Sequence, residues 1–185
     1  MNGIKAFPFK RSQSVFSLLV AAGILLAGCS PAAKAEALQA GMKAPGFNLT
    51  ATFNRKVSLN QYRGKQFVLI AFYPMDNTPG CTIQLCSLRD DAAKFKATGT
   101  AILASNPGSL KSHEDFAKKQ NYEYPLLVDQ RKAMAKAYGV LNPLGFVNRT
   151  VFLIDRQGVI RHVYKGTQDN EEVLTDIAGL KQEAR

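Results

Sequence analysis

The chain has 185 residues, of which 46% are hydrophobic, 21% charged and 9% aromatic, a composition typical of one globular domain. A formal charge of +10 raises the question of nucleic acid, but the basic residues form neither a low-complexity tail nor a stripe with stacking aromatics, so nucleic acid is not an expected partner. Three cysteines are too few for a disulfide scaffold.

The first segment, residues 1–28, is predicted to be an export signal. Its charges are Lys5, Lys10 and Arg11, and an almost unbroken apolar run follows over residues 15–27. That run is too short to cross the roughly 30 Å hydrocarbon core of a membrane as a stable anchor. Because a basic segment followed by a short apolar run is typical of a secretory signal, we expect the protein to be exported.

The apolar run ends in Leu-Ala-Gly-Cys at residues 26–29, which resembles the bacterial lipobox. In that motif the cysteine is joined to a lipid and becomes the first mature residue, so Cys29 would anchor the protein to a bacterial membrane, facing the periplasm or the cell exterior. The alternative is an ordinary signal cleaved near Ala37, which would release a soluble protein. Residues 29–41 are predicted to be a tether, and residues 42–185 the folded domain.

Apolar runs that alternate with amphipathic segments predict an α/β fold in which helices flank a central mixed sheet. Four apolar runs of strand length are expected to be buried strands, at Phe67–Phe72, Thr100–Ala104, Leu126–Val128 and Val151–Ile154. The turn at residues 155–158 separates the last of these from an alternating strand at Val159–Tyr164, which predicts a hairpin.

Four helices are predicted between and after these strands. The first carries an apolar stripe of helical period formed by Leu85, Leu88, Ala92 and Phe95. The others are Ser112–Asn121, with a Ser112/Asp115 capping pair, Arg131–Tyr138 and Asn170–Leu180. His113 and His162 are far from each other and from any cysteine pair, so we expect surface histidines and no metal site.

One cysteine follows a pattern that is typical of a nucleophile. The strand Phe67–Phe72 runs into a loop that ends in Thr78, a suitable N-cap, and Pro79, a favoured first helical residue. Cys81 would then lie in the first turn of a helix, where free backbone N–H groups and the helix dipole favour a thiolate. The alternative is that Cys81 is a small buried apolar residue.

A second thiol, Cys86, follows five residues later, which is the spacing of neither a dithiol reductase motif nor a zinc site. The pattern Pro74-x-x-x-Thr78-x-x-Cys81 is similar to the active-site motif of peroxiredoxins. The run from Tyr73 to Asp91 resembles the bacterioferritin-comigratory, or Q-type, branch, and the likeness extends over residues 42–180.

This resemblance implies a thioredoxin-like fold and the reduction of hydrogen peroxide and organic hydroperoxides without any cofactor. Cys81 would be the peroxidatic cysteine, and Cys86 the resolving cysteine that forms an intramolecular disulfide with it. Thr78 would orient peroxide and thiolate, Pro74 would shield the pocket, and Arg149 would place its guanidinium beside the sulfur. A thioredoxin-like reductant would restore the thiols, and the protein is expected to be a monomer.

Two other functions fit part of the pattern. A redox sensor or thiol-transfer protein would use the cysteine pair, but it has no evident use for Thr78 and Arg149. A lipoprotein binding module would keep the scaffold and use the basic charge to bind anionic lipid or an acidic partner. Consumption of peroxide by the reduced protein separates these alternatives from a peroxidase.

Overall fold

The computed structural model describes residues 38–183, so the predicted signal peptide, the predicted lipidation site at Cys29 and most of the tether lie outside the described residues. The strands are β1 (Asn48–Ala51), β2 (Arg55–Ser58), β3 (Phe67–Phe72), β4 (Thr100–Asn106), β5 (Leu126–Val128), β6 (Thr150–Ile154) and β7 (Ile160–Lys165). The helices are α1 (Pro79–Asp90), α2 (Ala92–Ala97), α3 (Leu110–Gln120), α4 (Ala133–Ala137) and α5 (Asn170–Glu183), with a 3₁₀ helix at Leu59–Tyr62.

The strands form one mixed sheet in the order β2-β1-β5-β4-β3-β6-β7. β3 lies near its centre and pairs parallel with β4 and antiparallel with β6. The remaining neighbours are β4 and β5, which are parallel, and β1–β5, β1–β2 and β6–β7, which are antiparallel. The predicted α/β fold with a central mixed sheet is confirmed, as is the hairpin between β6 and β7.

Two hydrophobic clusters cover the two faces of the sheet, because side chains alternate along each strand. Leu69 and Ala71 of β3 pack with buried residues of α1, α2, α3 and α5. Val68, Ile70 and Phe72 pack on the opposite face with residues of α4 and the 3₁₀ helix. All six residues of β3 are buried, as the continuous apolar run predicts.

The apolar stripe predicted for one helix belongs to two. α1 ends at Asp90 and α2 begins at Ala92, with a turn at Asp91 between them. The carboxylate of Asp91 accepts a hydrogen bond from Asn170 Nδ2 at 2.8 Å, at the start of α5. The turn between α1 and α2 is thus held by a residue that is distant in sequence, and the apolar stripe alone could not predict it.

The predicted start of α3 and its capping pair are wrong. α3 begins at Leu110, and its N-cap is Ser109, whose hydroxyl accepts from the backbone N–H of Ser112 at 3.2 Å. The hydroxyl of Ser112 instead donates to Asp76, and Asp115 pairs with Lys111 at 2.8 Å. The N-cap of α3 therefore lies three residues earlier in the chain than the sequence predicts.

The remaining differences concern short or terminal elements. α4 covers only Ala133–Ala137, because Lys132 has a left-handed backbone and the Asp129 carboxylate accepts from the N–H groups of Met134 and Ala135. α5 continues to Glu183. The hairpin of β1 and β2 was not predicted, since its strands have four residues each and a mixed pattern of exposure. None of the helices described between residues 38 and 183 combines the length and the apolar content that a membrane span requires.

Candidate active site

The loop that joins β3 to α1, residues 73–78, has the predicted strand-to-helix geometry. Asn77 has a left-handed backbone with φ +57°, a conformation that asparagine tolerates better than most residues. Thr78 follows with the extended backbone of an N-cap, and Pro79 is the first residue of α1. Cys81 consequently lies in the first turn of the helix, as predicted.

The side chain of Cys81 is buried, with 1% of its surface exposed, and it faces a guanidinium group. Nη2 of Arg149 lies 3.4 Å from Cys81 Sγ and is a hydrogen-bond donor to it. Arg149 directly precedes β6, and the antiparallel register of β3 and β6 places Thr150 opposite Phe72. Sheet pairing thus brings Arg149 to the end of β3 from which the cysteine loop departs.

The other contacts of Arg149 are with neutral oxygen atoms. Nη1 donates to the carbonyl of Gly80 at 3.1 Å and to Oε1 of Gln84 at 2.5 Å. A Cβ on residue 80 would lie 3.2 Å from Arg149 Nη2, so the absence of a side chain at Gly80 allows the guanidinium to lie against the helix. A thiolate at Cys81 would therefore be an anionic partner for this charge.

Gln84 is a site residue that the sequence did not reveal. It is fully buried on α1, and its Nε2 donates to Oε1 of Gln168 at 3.2 Å, in the segment that joins β7 to α5. Gln84 thus holds Arg149 through Nη1, and Gln168 in turn holds Gln84. The available signal was a polar residue three positions after Cys81 on an otherwise apolar helical face.

Thr78 and Pro74 lie on the same loop, but the structure shows no direct role for either. The hydroxyl of Thr78 donates to the carbonyl of Met75 at 3.2 Å, and Pro74 is exposed. The structure therefore brings Arg149 and Cys81 into contact and places Thr78 and Pro74 beside them in the chain.

Cys86 lies on the same helix as Cys81, and both thiols are free. Its Sγ lies 3.6 Å from Oε1 of Gln120 and 3.6 Å from the hydroxyl of Tyr122. Burial, followed by the hydrogen bond with Cys86, raises the pKa of Tyr122 well above its usual value. Positions five apart on an intact helix have Cα atoms about 8.7 Å apart, whereas a disulfide needs less than about 7 Å.

One prediction about the histidines is wrong. His113 is completely buried, and its ring nitrogens contact the Asp76 carboxylate at 2.8 Å and the Leu127 carbonyl at 3.2 Å. A histidine can be buried in this way because both of its nitrogens are hydrogen-bonded. His162, in contrast, retains 38% of its side-chain surface and stacks on Tyr164.

Comparisons with known proteins show the family of this chain. The AhpC/TSA family model matches residues 40–163. The chain is 35% identical over 144 residues to the chloroplastic peroxiredoxin Q of Sedum lineare, covering 77% of each protein. It is 37% identical over 134 residues to a putative peroxiredoxin bcp of Coxiella burnetii, covering 69% of this chain and 88% of that protein.

Solved structures show the same architecture. The peroxidoxin BcpB of Mycobacterium tuberculosis superimposes with a TM-score of 0.71 at 25% identity, covering 77% of this chain and 97% of that one. The bacterioferritin comigratory protein of Xanthomonas campestris gives a TM-score of 0.66 at 26% identity, covering 75% and 92%. The predicted thioredoxin-like fold is thus confirmed, and the chain belongs to the AhpC/TSA family, as a peroxiredoxin of the Q or bacterioferritin-comigratory type.

Proposed function

We propose that the protein is a thiol-dependent peroxidase in which Cys81 attacks hydrogen peroxide and organic hydroperoxides. One observation supports this most directly: a thiol in the first turn of α1 lies 3.4 Å from Nη2 of Arg149. The helix N-terminus and the guanidinium both favour a thiolate, which is the reactive form of cysteine.

In the proposed reaction the Cys81 thiolate attacks the terminal oxygen of the peroxide. An S–O bond forms while the O–O bond breaks, and the sulfur loses the electron pair that the peroxide gains. The departing oxygen takes a proton and leaves as water or an alcohol, and Cys81 becomes a sulfenic acid. Arg149 stabilises the charge that develops on the oxygens, Thr78 orients the peroxide, and Pro74 shields the reacting sulfur.

Cys86 is proposed to complete the cycle as the resolving cysteine. Its thiolate attacks the sulfenic sulfur of Cys81, so that an S–S bond forms and the S–O bond breaks, and the departing hydroxide takes a proton and leaves as water. A thioredoxin-like dithiol then reduces this disulfide and is itself oxidised. Since both thiols and Arg149 belong to one chain, a monomer suffices for these steps.

The decisive experiment mixes reduced protein with an equimolar amount of hydrogen peroxide and measures residual peroxide and thiols in quenched samples. Direct measurement is needed because the chain has no tryptophan to report the reaction by fluorescence. The wild type should consume peroxide rapidly and lose two thiols, Cys86→Ser should consume an equimolar amount and accumulate sulfenic acid, and Cys81→Ser should be inert. A wild type that consumes peroxide no faster than Cys81→Ser would favour a thiol-exchange or binding function instead.

We also propose that the protein is exported and anchored to a bacterial membrane through lipidated Cys29. The basic segment, the apolar run and the Leu-Ala-Gly-Cys sequence at residues 26–29 support this proposal. Wild-type protein made in bacteria should enter the detergent phase in a partition experiment, because buried lipid contributes about 0.8 kcal/mol per CH₂ group. Cys29→Ala should enter the aqueous phase, whereas aqueous partition of the wild type would contradict the anchor.

A further inference from the structure

The active-site loop contains a buried carboxylate that has no part in the proposed reaction. Asp76 lies between Pro74 and Thr78, yet only 9% of it is exposed. Its Oδ1 accepts hydrogen bonds from the hydroxyl of Tyr73 and from Nδ2 of Asn106, both at 2.8 Å.

The second oxygen of Asp76 binds the first turn of α3. Oδ2 accepts from the hydroxyl of Ser112 at 2.5 Å and from Nδ1 of His113 at 2.8 Å. Burial opposes the ionisation of Asp76, but the hydrogen bonds from His113 and Ser112 outweigh it and lower the pKa of the carboxyl. Asp76 is therefore an ionised group whose hydrogen-bond partners all come from the protein.

His113 has an acceptor on each side of its ring. Nδ1 faces the Asp76 carboxylate, and Nε2 faces the backbone carbonyl of Leu127 at 3.2 Å. Both ring nitrogens therefore face oxygen atoms, so the His113 ring joins the active-site loop to β5. Asp76 and His113 thus form a buried hydrogen-bonded pair.

The surrounding backbone fits closely around this pair. A Cβ on residue 108 would lie 2.7 Å from Cε1 of His113 and 2.7 Å from Oδ1 of Asn106, so Gly108 must lack a side chain. The backbone N–H of Gly108 donates to that same Asn106 oxygen. The end of β4, the start of α3 and the active-site loop therefore meet at Asp76.

We infer that Asp76 and His113 are positioning residues that hold the loop of residues 74–78 in its peroxide-reactive conformation. Neither hydrogen-bonds to Cys81 or Arg149 within the described part of the chain. They act through the loop, because Asp76 stands two residues before Thr78, the N-cap of α1. This pair thereby fixes Thr78 and the start of the helix that carries Cys81.

This inference rests on the proposed peroxidase function. It predicts different effects on peroxide attack by Cys81 and on formation of the Cys81–Cys86 disulfide. Peroxide attack needs an ordered loop, whereas the Cys81–Cys86 disulfide needs the N-terminal part of α1 to unwind. Loosening the loop should therefore slow the first step and leave the second step as fast as before or faster. A general loss of stability without a positioning role would not change the selectivity of Cys81 between reagents.

The test compares Asp76→Asn and His113→Gln with the wild type in three measurements: peroxide consumption, alkylation by iodoacetamide and disulfide formation in quenched samples. Each variant should react with peroxide at least about tenfold more slowly, while alkylation changes by less than about threefold, because the alkylating agent does not need an oriented site. Disulfide formation from the sulfenic acid should not slow.

Two matched controls lie away from the active-site loop, since Asp155 follows Ile154, which pairs with Val68 near the start of β3, and His162 lies on β7 opposite Leu153. Asp155 is also buried and accepts from the backbone N–H groups of Gln157 and Val159, so Asp155→Asn removes a comparable carboxylate far from the loop. His162→Gln removes the other histidine. Both should keep the wild-type ratio of peroxide rate to alkylation rate.

The double variant gives a further check. Removing both partners leaves neither of them unpaired, so the double variant should lose less activity than the product of the two single losses. If Asp76→Asn does not fold, Tyr73→Phe and Ser112→Ala each remove one hydrogen bond and should show the same selective slowing in milder form.

The outcomes separate the inference from the function on which it rests. A wild type that does not consume peroxide would overturn the proposed function. A wild type that consumes it, with unchanged peroxide rates in the variants or equal slowing of peroxide and alkylation, would overturn only the positioning role.

Discussion

At the scale of single residues, Arg149 is a cation with neutral neighbours and one thiol. Replacing it by alanine should slow peroxide reduction by about 10²–10³-fold, the usual loss when one donor to a transition state is removed. The peroxide rate of Arg149→Lys should fall between those of Arg149→Ala and the wild type, since lysine keeps the charge but loses the forked geometry. Rates would be measured under pseudo-first-order conditions.

A matched arginine serves as the control for this prediction. Arg156 lies over the ring of Phe67, at the start of β3 rather than at its active-site end. Arg156→Ala should leave the peroxide rate within about twofold of the wild type, as is usual for a surface substitution. An equally fast Arg149→Ala protein would show that the contact of 3.4 Å has no part in the reaction.

The hydroxyl of Thr78 is the second test at this scale. Thr78→Val keeps the shape of the side chain but removes the donor, so peroxide attack should slow at least about tenfold more than alkylation by iodoacetamide. Thr78→Ser should retain most of the peroxide rate. Equal slowing of both reactions would reduce Thr78 to a structural role, through its hydrogen bond to the Met75 carbonyl.

At the scale of elements, the intact helix α1 suits peroxide attack but not disulfide formation. It holds Cys81 in its first turn, but it also holds Cys86 too far from Cys81 for a disulfide to form. Opening α1 must also release Gln84 from Arg149 and Gln168. The disulfide form therefore cannot keep the arrangement that binds Arg149 to the sulfur.

Hydrogen exchange measured by mass spectrometry would detect this change. The oxidised protein should lose amide protection over residues 81–88, because the backbone hydrogen bonds of the helix must break there. Protection in β3 and β6 should stay as in the reduced form. Equal protection of residues 81–88 in both forms, with the Cys81–Cys86 disulfide verified, would contradict the unwinding.

At the scale of the whole molecule, the sheet separates the reactive face from a face that only stabilises the fold. Phe72, Tyr138 and Phe152 form a cluster of aromatic rings on the face opposite Cys81, with ring centroids 5.2–5.8 Å apart. Phe152→Ala should lower the free energy of unfolding by about 3–5 kcal/mol, the usual effect of emptying such a site. Denaturant unfolding would measure it.

The same variant should react with peroxide at nearly the wild-type rate under conditions in which it is folded. Its side chain contributes to the cluster of β3, α4 and β6 residues and not to the cluster that contains Cys81. A large loss of peroxide rate in fully folded protein would show that the two faces are coupled through the sheet.

Acid should destabilise the whole fold partly through Asp76. Its pKa is lower in the folded protein than the usual aspartate value of 3.8, so folding favours the ionised form. This contribution to stability is present above a pH of about 4 and is lost as the pH falls through the lower folded-state pKa. The stability difference between wild type and Asp76→Asn should accordingly shrink in urea titrations at decreasing pH, and a constant difference would contradict the assignment.

Local sequence was sufficient to predict the parts of the fold that neighbouring residues specify. The apolar run of β3, the boundaries of β5 and the β6–β7 hairpin follow from patterns within a few residues. The Thr-Pro-Gly-Cys segment likewise specifies an N-cap and a first turn, so the sequence alone placed Cys81 at a helix N-terminus. The role of Arg149 came only from the family resemblance and not from spacing.

The tertiary structure decided every contact between residues distant in the chain. Arg149 and Cys81 are 68 positions apart, and the register of β3 with β6 brings them together. His113 and Asp76 are 37 positions apart, so no periodicity could show that His113 is buried as the partner of a carboxylate. Capping and hydrophobic period depend on adjacent residues, whereas burial of a charge depends on which segments pack around it, and only the folded chain brings those segments together.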